Sequence, residues 1–240
     1  MSASGTRVLI AGAAGGVGRA VALRAADEGA TLLLLGRDEE KLDLVRAQVA
    51  EHGGTAHVAL ADATSAEQVR EAVEALRHEA RGIDVVVNAV GINIKARRLE
   101  ELDEADWRSV LDNNLTSAFH LTRAVLPGFR ADGGGLFIHI SSVAALVPDL
   151  SGAAYQASKA GLAALARATS LEAAGDGVRV TTISPGLIDT PFVRHRRTAP
   201  SREELASALR PEDVADVCLA IIRLPARATV SDVVMRPTTG

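Results

Sequence analysis

The stretch Ala11-Gly12-Ala13-Ala14-Gly15-Gly16-Val17-Gly18 decides how this chain is read. It follows an apolar run, Arg7–Ala11, and precedes a segment of helical period, Val17–Glu28. Glycines at such a junction allow a tight turn and close backbone approach. The helix that starts there offers free N–H groups and a partial positive charge, the donor set a pyrophosphate requires. A glycine turn alone also suits an ordinary strand-to-helix connection, so its weight depends on what surrounds it.

Outward from that turn, short apolar runs alternate with longer segments of helical period, the pattern of a parallel sheet with helices on both faces. Strands are expected at Arg7–Ala11, Thr31–Leu35, Thr55–Leu60, Ile83–Asn88, Gly135–Ser141, Arg179–Ser184 and Thr229–Met235. Helices are expected at Val17–Glu28, Glu39–Glu51, Ala66–Ala80, Glu104–Arg130, Gly152–Ala173 and Pro211–Ile222. Leu32–Leu35 and Val85–Val87 are unbroken apolar runs with no period of two, as in strands buried on both faces. The implied fold class is α/β, a Rossmann-type three-layer α/β/α sandwich around a seven-stranded parallel sheet. No Pro/Gly/Ser-rich linker divides the 240 residues, so one domain is expected over 1–240, with a cofactor half of about 1–130 and a catalytic and substrate half of about 131–240.

The formal charge of −4 argues against a face for nucleic acid, whose phosphates require clustered Lys and Arg. The one basic run, Arg194-His195-Arg196-Arg197, is either a solvated surface segment or an anion-attracting lip over a pocket. Apolar stretches such as Thr31–Leu35 are far shorter than a membrane span, and Met1–Arg7 shows no basic segment followed by an apolar one. A single cysteine, Cys218, suits a reducing compartment; a cytoplasmic protein without membrane partner or metal is expected.

Tyr155 and Lys159 stand four residues apart, so on a helix both project from one face. A free tyrosine holds its proton to a pKa of about 10, and a neighbouring ammonium favours the phenolate and lowers that value. Ser142, thirteen residues before Tyr155, ends the fifth expected strand with a hydroxyl able to donate to an oxygen where negative charge develops. Successive strand side chains point to opposite faces, so only one of Ser141 and Ser142 can serve there.

Gly12-x-x-x-Gly16-x-Gly18, Asn88-Ala89-Val90-Gly91, Asn114, Ser142, Tyr155-x-x-x-Lys159 and Pro185-Gly186, in that order, resemble the motifs of the classical short-chain dehydrogenase/reductases over essentially the whole chain, Arg7 to Thr238. The resemblance implies a nicotinamide-dependent oxidoreductase acting on a small-molecule carbonyl or secondary alcohol, assembled as a homodimer or homotetramer. It implies Tyr155 as general acid in reduction and base in oxidation, with Lys159 as its partner and a ligand of the nicotinamide ribose. It selects Ser142 over Ser141 as the group that orients the substrate oxygen. Asn114 matches the asparagine that holds a water in a proton relay, with Asn113 as the neighbouring alternative; a helix cap or buried polar bridge is the plainer use of such a residue. Implied cofactor contacts fall on Gly12, Gly16, Val17, Gly18, Asn88, Gly91, Tyr155, Lys159, Pro185 and Gly186. Asp62 would contact adenine or merely initiate a helix, and Thr190 would bind the carboxamide or cap a helix before Pro191.

Gly36 occupies the place, about twenty residues beyond the glycines, where an NAD-preferring fold carries an acid. Arg37 follows, and its planar guanidinium suits a 2′-phosphate. NADP(H) is therefore the expected cofactor, with NAD(H) left open because Asp38 is next and the glycine turn holds no basic residue. Ala11 and Ala89 replace a threonine and an asparagine common in the family, two side-chain hydrogen bonds fewer at about 1 kcal/mol each.

Substrate walls are expected from loops at the C-terminal edge of the sheet: Asn93, Ile94 and Lys95, Val143–Leu150 and Leu187–Arg197, with Asn93, Ile94, Val143 and Leu187 as contacts. These are mostly apolar with cationic margins, unless Lys95 and Arg97 are simply solvated. Leu209–Ala215 and Met235–Thr238 resemble the branch with NADP-dependent 3-hydroxy acid and serine dehydrogenases. Two other uses of the fold stay open: a non-catalytic nucleotide-binding sensor, and lyase or epimerase chemistry.

Overall fold

Apolar runs become strands and periodic segments become helices in the computed structural model, which describes residues 3–194 and 199–238. In chain order the elements are β1 (Arg7–Ala11), α1 (Gly16–Asp27), β2 (Thr31–Gly36), α2 (Glu39–Glu51), β3 (Thr55–Leu60), α3 (Ala66–Ala80), β4 (Val85–Asn88), α4 (Glu104–Leu111), α5 (Ser117–Ala131), β5 (Gly135–Ile140), α6 (Ala153–Glu172), β6 (Val178–Pro185), α7 (Pro191–Arg194), α8 (Arg202–Ser207), α9 (Pro211–Ile222) and β7 (Asp232–Met235). Among the described residues the strands form one parallel, seven-stranded sheet in the order β3-β2-β1-β4-β5-β6-β7.

Both faces of this sheet are apolar, which is why its central strands lack a period of two. Val8, Ile10, Leu32 and Leu34 pack under α1, α2 and α9, while Leu9, Leu33 and Phe137 pack under α3, α5 and α6. Short polar side chains start several helices: Asp38, Ser65 and Asp103 accept from the backbone N–H three residues on. The chain order reverses between β1 and β4, and a crevice opens beyond the strand ends at that switch point, as doubly wound sheets require. No helix among the described residues is long and apolar enough to cross a membrane.

Several boundaries shift by a residue or two and the short helices α7 and α8 were not expected; three departures have a clear physical reason. The segment Glu104–Arg130 is not one helix; a π-turn at Asp112–Thr116 separates α4 from α5. Its cause is polar: Asn113 donates to Ser109 O, Ser117 donates to Asn113 O, and Asn114 turns inward, so the regular ladder gains a residue. The fifth strand stops at Ile140, before both serines, because Ser142 caps a 3₁₀ turn at Val143–Ala145. The last strand is short and lies at a sheet edge, where Val234 is half exposed, so it carries none of the two-sided burial of the central strands.

Candidate active site

The crevice is a cavity of about 440 Å³ whose walls come from the segments after β1, β4, β5 and β6. Gly15–Gly18 form one side and Ser142, Val143, Tyr155 and Lys159 the other, with Ala89–Gly91 between them. Pro185–Ile188, Thr190, Phe192 and Val193 close the end beyond β6.

The glycine turn is built for close approach. Gly12 holds φ at +78°, and a Cβ there would meet the Ala89 carbonyl at 3.0 Å. A Cβ on Gly18 would lie 2.3 Å from Gly12 O, and one on Gly16 would lie 2.7 Å from Thr190 Cγ2. Gly18→Ala is therefore expected to cost about 1–3 kcal/mol of stability, read as a lower denaturant midpoint; an unchanged midpoint would mean that the turn gives way freely. α1 starts in this turn with no side-chain cap and no acid in its first turn, so its leading N–H groups face the crevice uncontested. A pyrophosphate fits that donor set.

Opposite lies α6, which carries Tyr155 and Lys159 one turn apart. The Lys159 ammonium sits 5.8 Å from the Tyr155 ring centre and donates to Ile140 O at 3.0 Å. Lys159 is almost wholly buried, and that burial pushes its amine down to about 8. Ser141 and Ser142 separate as strand alternation suggests: Ser141 Oγ donates to Lys159 O, while Ser142 Oγ accepts from Ala144 N at 3.2 Å and keeps its own hydrogen for another acceptor. Asn114 is fully buried, accepting from Ile92 N at 2.7 Å and donating to Ile92 O and Ser158 Oγ. Both donors and one lone pair are thus engaged, leaving one acceptor position. A Cβ on Gly91 would lie 3.1 Å from Lys159 Nζ and 3.4 Å from Asn114 Oδ1, so this glycine is the meeting point of the two.

Gly16, Val17, Gly18, Gly91, Asn93, Ser142, Val143, Tyr155, Lys159, Pro185, Gly186, Leu187 and Thr190 all line the cavity. Gly12 is not among the lining residues, and Asn88 is buried with its amide turned toward His139. Ile94 borders a smaller neighbouring hollow instead, with Ala96, Arg97 and Leu102. Arg37 and Asp62 stand together beyond β2 and β3, 4.0 Å apart and partly exposed, and are not among the residues lining the main cavity. Lys95 and Arg97 are not among the residues lining the main cavity, and Arg97 Nε donates to Ile94 O. The charged side chains on the described lining are Asp149, Lys159 and Glu204. His195, Arg196 and Arg197 lie outside the described residues. Ser151 and Glu204 were not anticipated as wall residues; the Ser201-x-x-Glu204 capping box of α8 was readable, but its return to the cavity was not.

The model of the short chain dehydrogenase family matches residues 6–201. An uncharacterized oxidoreductase of Staphylococcus epidermidis is 28% identical over 229 residues, covering 95% of this chain and 96% of that protein. Among solved structures, an alcohol dehydrogenase from the archaeon Thermococcus sibiricus, complexed with 5-hydroxy-NADP, is 26% identical with a TM-score of 0.89, over 98% of this chain and 97% of that one. A metagenomic short-chain oxidoreductase in complex with NADP is 29% identical with a TM-score of 0.86, over 100% of both chains. The matched span runs from the first strand through the glycine turn and the Tyr155–Lys159 helix to the end of the crevice, and the chain belongs to the short-chain dehydrogenase/reductases, a family of NAD(P)-dependent oxidoreductases.

Proposed function

We propose that the protein is an NADP(H)-dependent enzyme that interconverts a small or medium carbonyl compound and its secondary alcohol, with Tyr155 as the proton donor and acceptor. One observation carries this reading: a single crevice is lined both by the uncapped start of α1, with the leading N–H groups of Gly16–Gly18, and by Ser142, Tyr155 and Lys159. Bound there, the nicotinamide would supply or take up the hydride. Ser142 donates its hydroxyl to the substrate oxygen, because its lone pair already receives Ala144 N–H. In reduction Tyr155 gives its phenolic proton to that same oxygen as negative charge builds on it. The Lys159 ammonium stabilises the phenolate left behind, and oxidation reverses the transfer. The remaining acceptor position of Asn114 suits a water that returns protons toward Lys159.

The choice of NADP(H) follows from the end of β2. Asp38 is engaged as the cap of α2, accepting from Lys41 N at 3.1 Å and pairing with Lys41 Nζ at 2.5 Å, with its carboxyl held below the usual range by the side-chain bond to Lys41 first. Those contacts commit part of its acceptor capacity to α2. Arg37 is left as the group for a 2′-phosphate, and the NADP species bound by two similar structures support the same choice. Arg37→Ala is expected to raise the KM for NADPH about tenfold and to leave that for NADH within about twofold, measured by steady-state kinetics with each cofactor. Equal effects on both would remove Arg37 from phosphate recognition.

The apolar Val143, Leu187, Ile188, Phe192 and Val193 suit an uncharged carbonyl substrate. Exposed Phe119 on α5 and Leu171 on α6 suit coverage by a second copy in a homodimer or homotetramer.

A further inference from the structure

A histidine stands where a central parallel strand ordinarily carries an apolar residue. His139 lies in β5, is 0% exposed, and pairs in register with Asn88 on β4. Its ring stacks on Phe137 with centroids 5.8 Å apart and planes 5° from parallel, and Phe137 in turn packs on Phe129 of α5. No step of the chemistry above uses it.

Its polar contact is specific. Asn88 Oδ1 accepts from Val90 N at 3.1 Å, which fixes the amide and turns Nδ2 toward His139 Nδ1 at 3.3 Å. The fixed amide then makes Nδ1 the lone-pair nitrogen and Nε2 the protonated one, with the buried Nε2–H left without a hydrogen-bond partner among the described residues. Val90 belongs to the Ala89–Gly91 segment that lines the crevice, and Gly91 is the point of contact with Lys159 and Asn114. This segment lacks the family's usual second asparagine, Ala89 standing in its place. Burial first, and then the Lys159 charge, push His139 down to about 4, so the ring stays neutral near pH 7, as an accepting Nδ1 requires.

We propose that His139 is a positioning residue: by accepting from Asn88 it locks that side chain, and through Val90 N–H it holds the Ala89–Gly91 wall in the shape that receives the nicotinamide nucleotide. The inference rests on the cofactor reading of the crevice.

Two substitutions separate hydrogen bonding from packing. His139→Asn loses the ring but can place an amide oxygen where Nδ1 stands, whereas His139→Phe keeps a ring on Phe137 and removes the acceptor. Calorimetric titration with NADPH is expected to give a Kd within about twofold of the parent for the Asn variant and about tenfold weaker for the Phe variant. NMR of the parent imidazole is expected to show the Nε2–H tautomer, a readout that needs neither variant to fold. A Phe variant that binds like the parent, two variants weakened equally, or an Nδ1–H tautomer would each overturn the proposal. A parent that binds neither NADPH nor NADH would instead contradict the cofactor reading, and this inference would fall with it.

Discussion

Tyr155→Phe is expected to lower kcat by about 10²–10⁴-fold while leaving the Kd for NADPH within about twofold. The substitution is nearly isosteric. The ring keeps its place on α6 and its tilted contact with Phe192, 6.3 Å between centroids. Only the phenolic O–H disappears, and with it the group proposed to give a proton to the substrate oxygen. Separate measurement of kcat and of Kd is what makes the result informative: a loss confined to kcat assigns Tyr155 to the transition state, whereas parental turnover in the Phe variant would remove it from proton transfer.

Lys159→Met is the second large effect, and it acts in two directions. Turnover is expected to fall about 10²-fold or more, because the phenolate loses its stabilising charge. Thermal stability is expected to rise at pH 7. Burial lowers the folded-state pKa of Lys159 from 10.5 to about 8. Between those values the unfolded chain binds the extra proton, so native stability increases with pH through that window; below about 8 the desolvation cost is fully present. A methionine of similar length carries no such cost, although Ile140 O loses its donor. Melting temperatures from pH 7 to 10.5 should show the variant's advantage shrinking as pH rises. A pH-independent difference, or a less stable variant throughout, would mean that the buried charge is not the source.

Much of this architecture is legible in the chain because parallel strands buried on both faces leave unbroken apolar runs. Arg7–Ala11, Thr55–Leu60, Glu39–Glu51 and Ala66–Ala80 fold with the bounds their patterns predict. The break in Glu104–Arg130 is not legible, since helical period continues through it and its stabilising contact, Asn114 with Ile92, joins residues 22 positions apart. Among the site residues, Tyr155 and Lys159 are readable because one helix carries both. Ser151 and Glu204 reach the cavity from separate segments, which no local spacing encodes. The competition between Arg37 and Asp38 is partly legible: Asp38 before Glu39-Glu40-Lys41 is a helix-cap pattern, which gives its carboxylate a structural use.

Hydride transfer from nicotinamide to a carbonyl carbon is read most directly by isotope. NADPH deuterated at the nicotinamide C4 would be incubated with the protein and a panel of ketones, aldehydes and oxo acids, and the products examined by mass spectrometry and NMR. Deuterium on the carbinol carbon, absent with Tyr155→Phe, is the expected result. A converted substrate without deuterium would point to lyase or epimerase chemistry, and saturable NADPH binding with no transfer to any member of the panel would contradict the enzymatic reading in favour of a sensor.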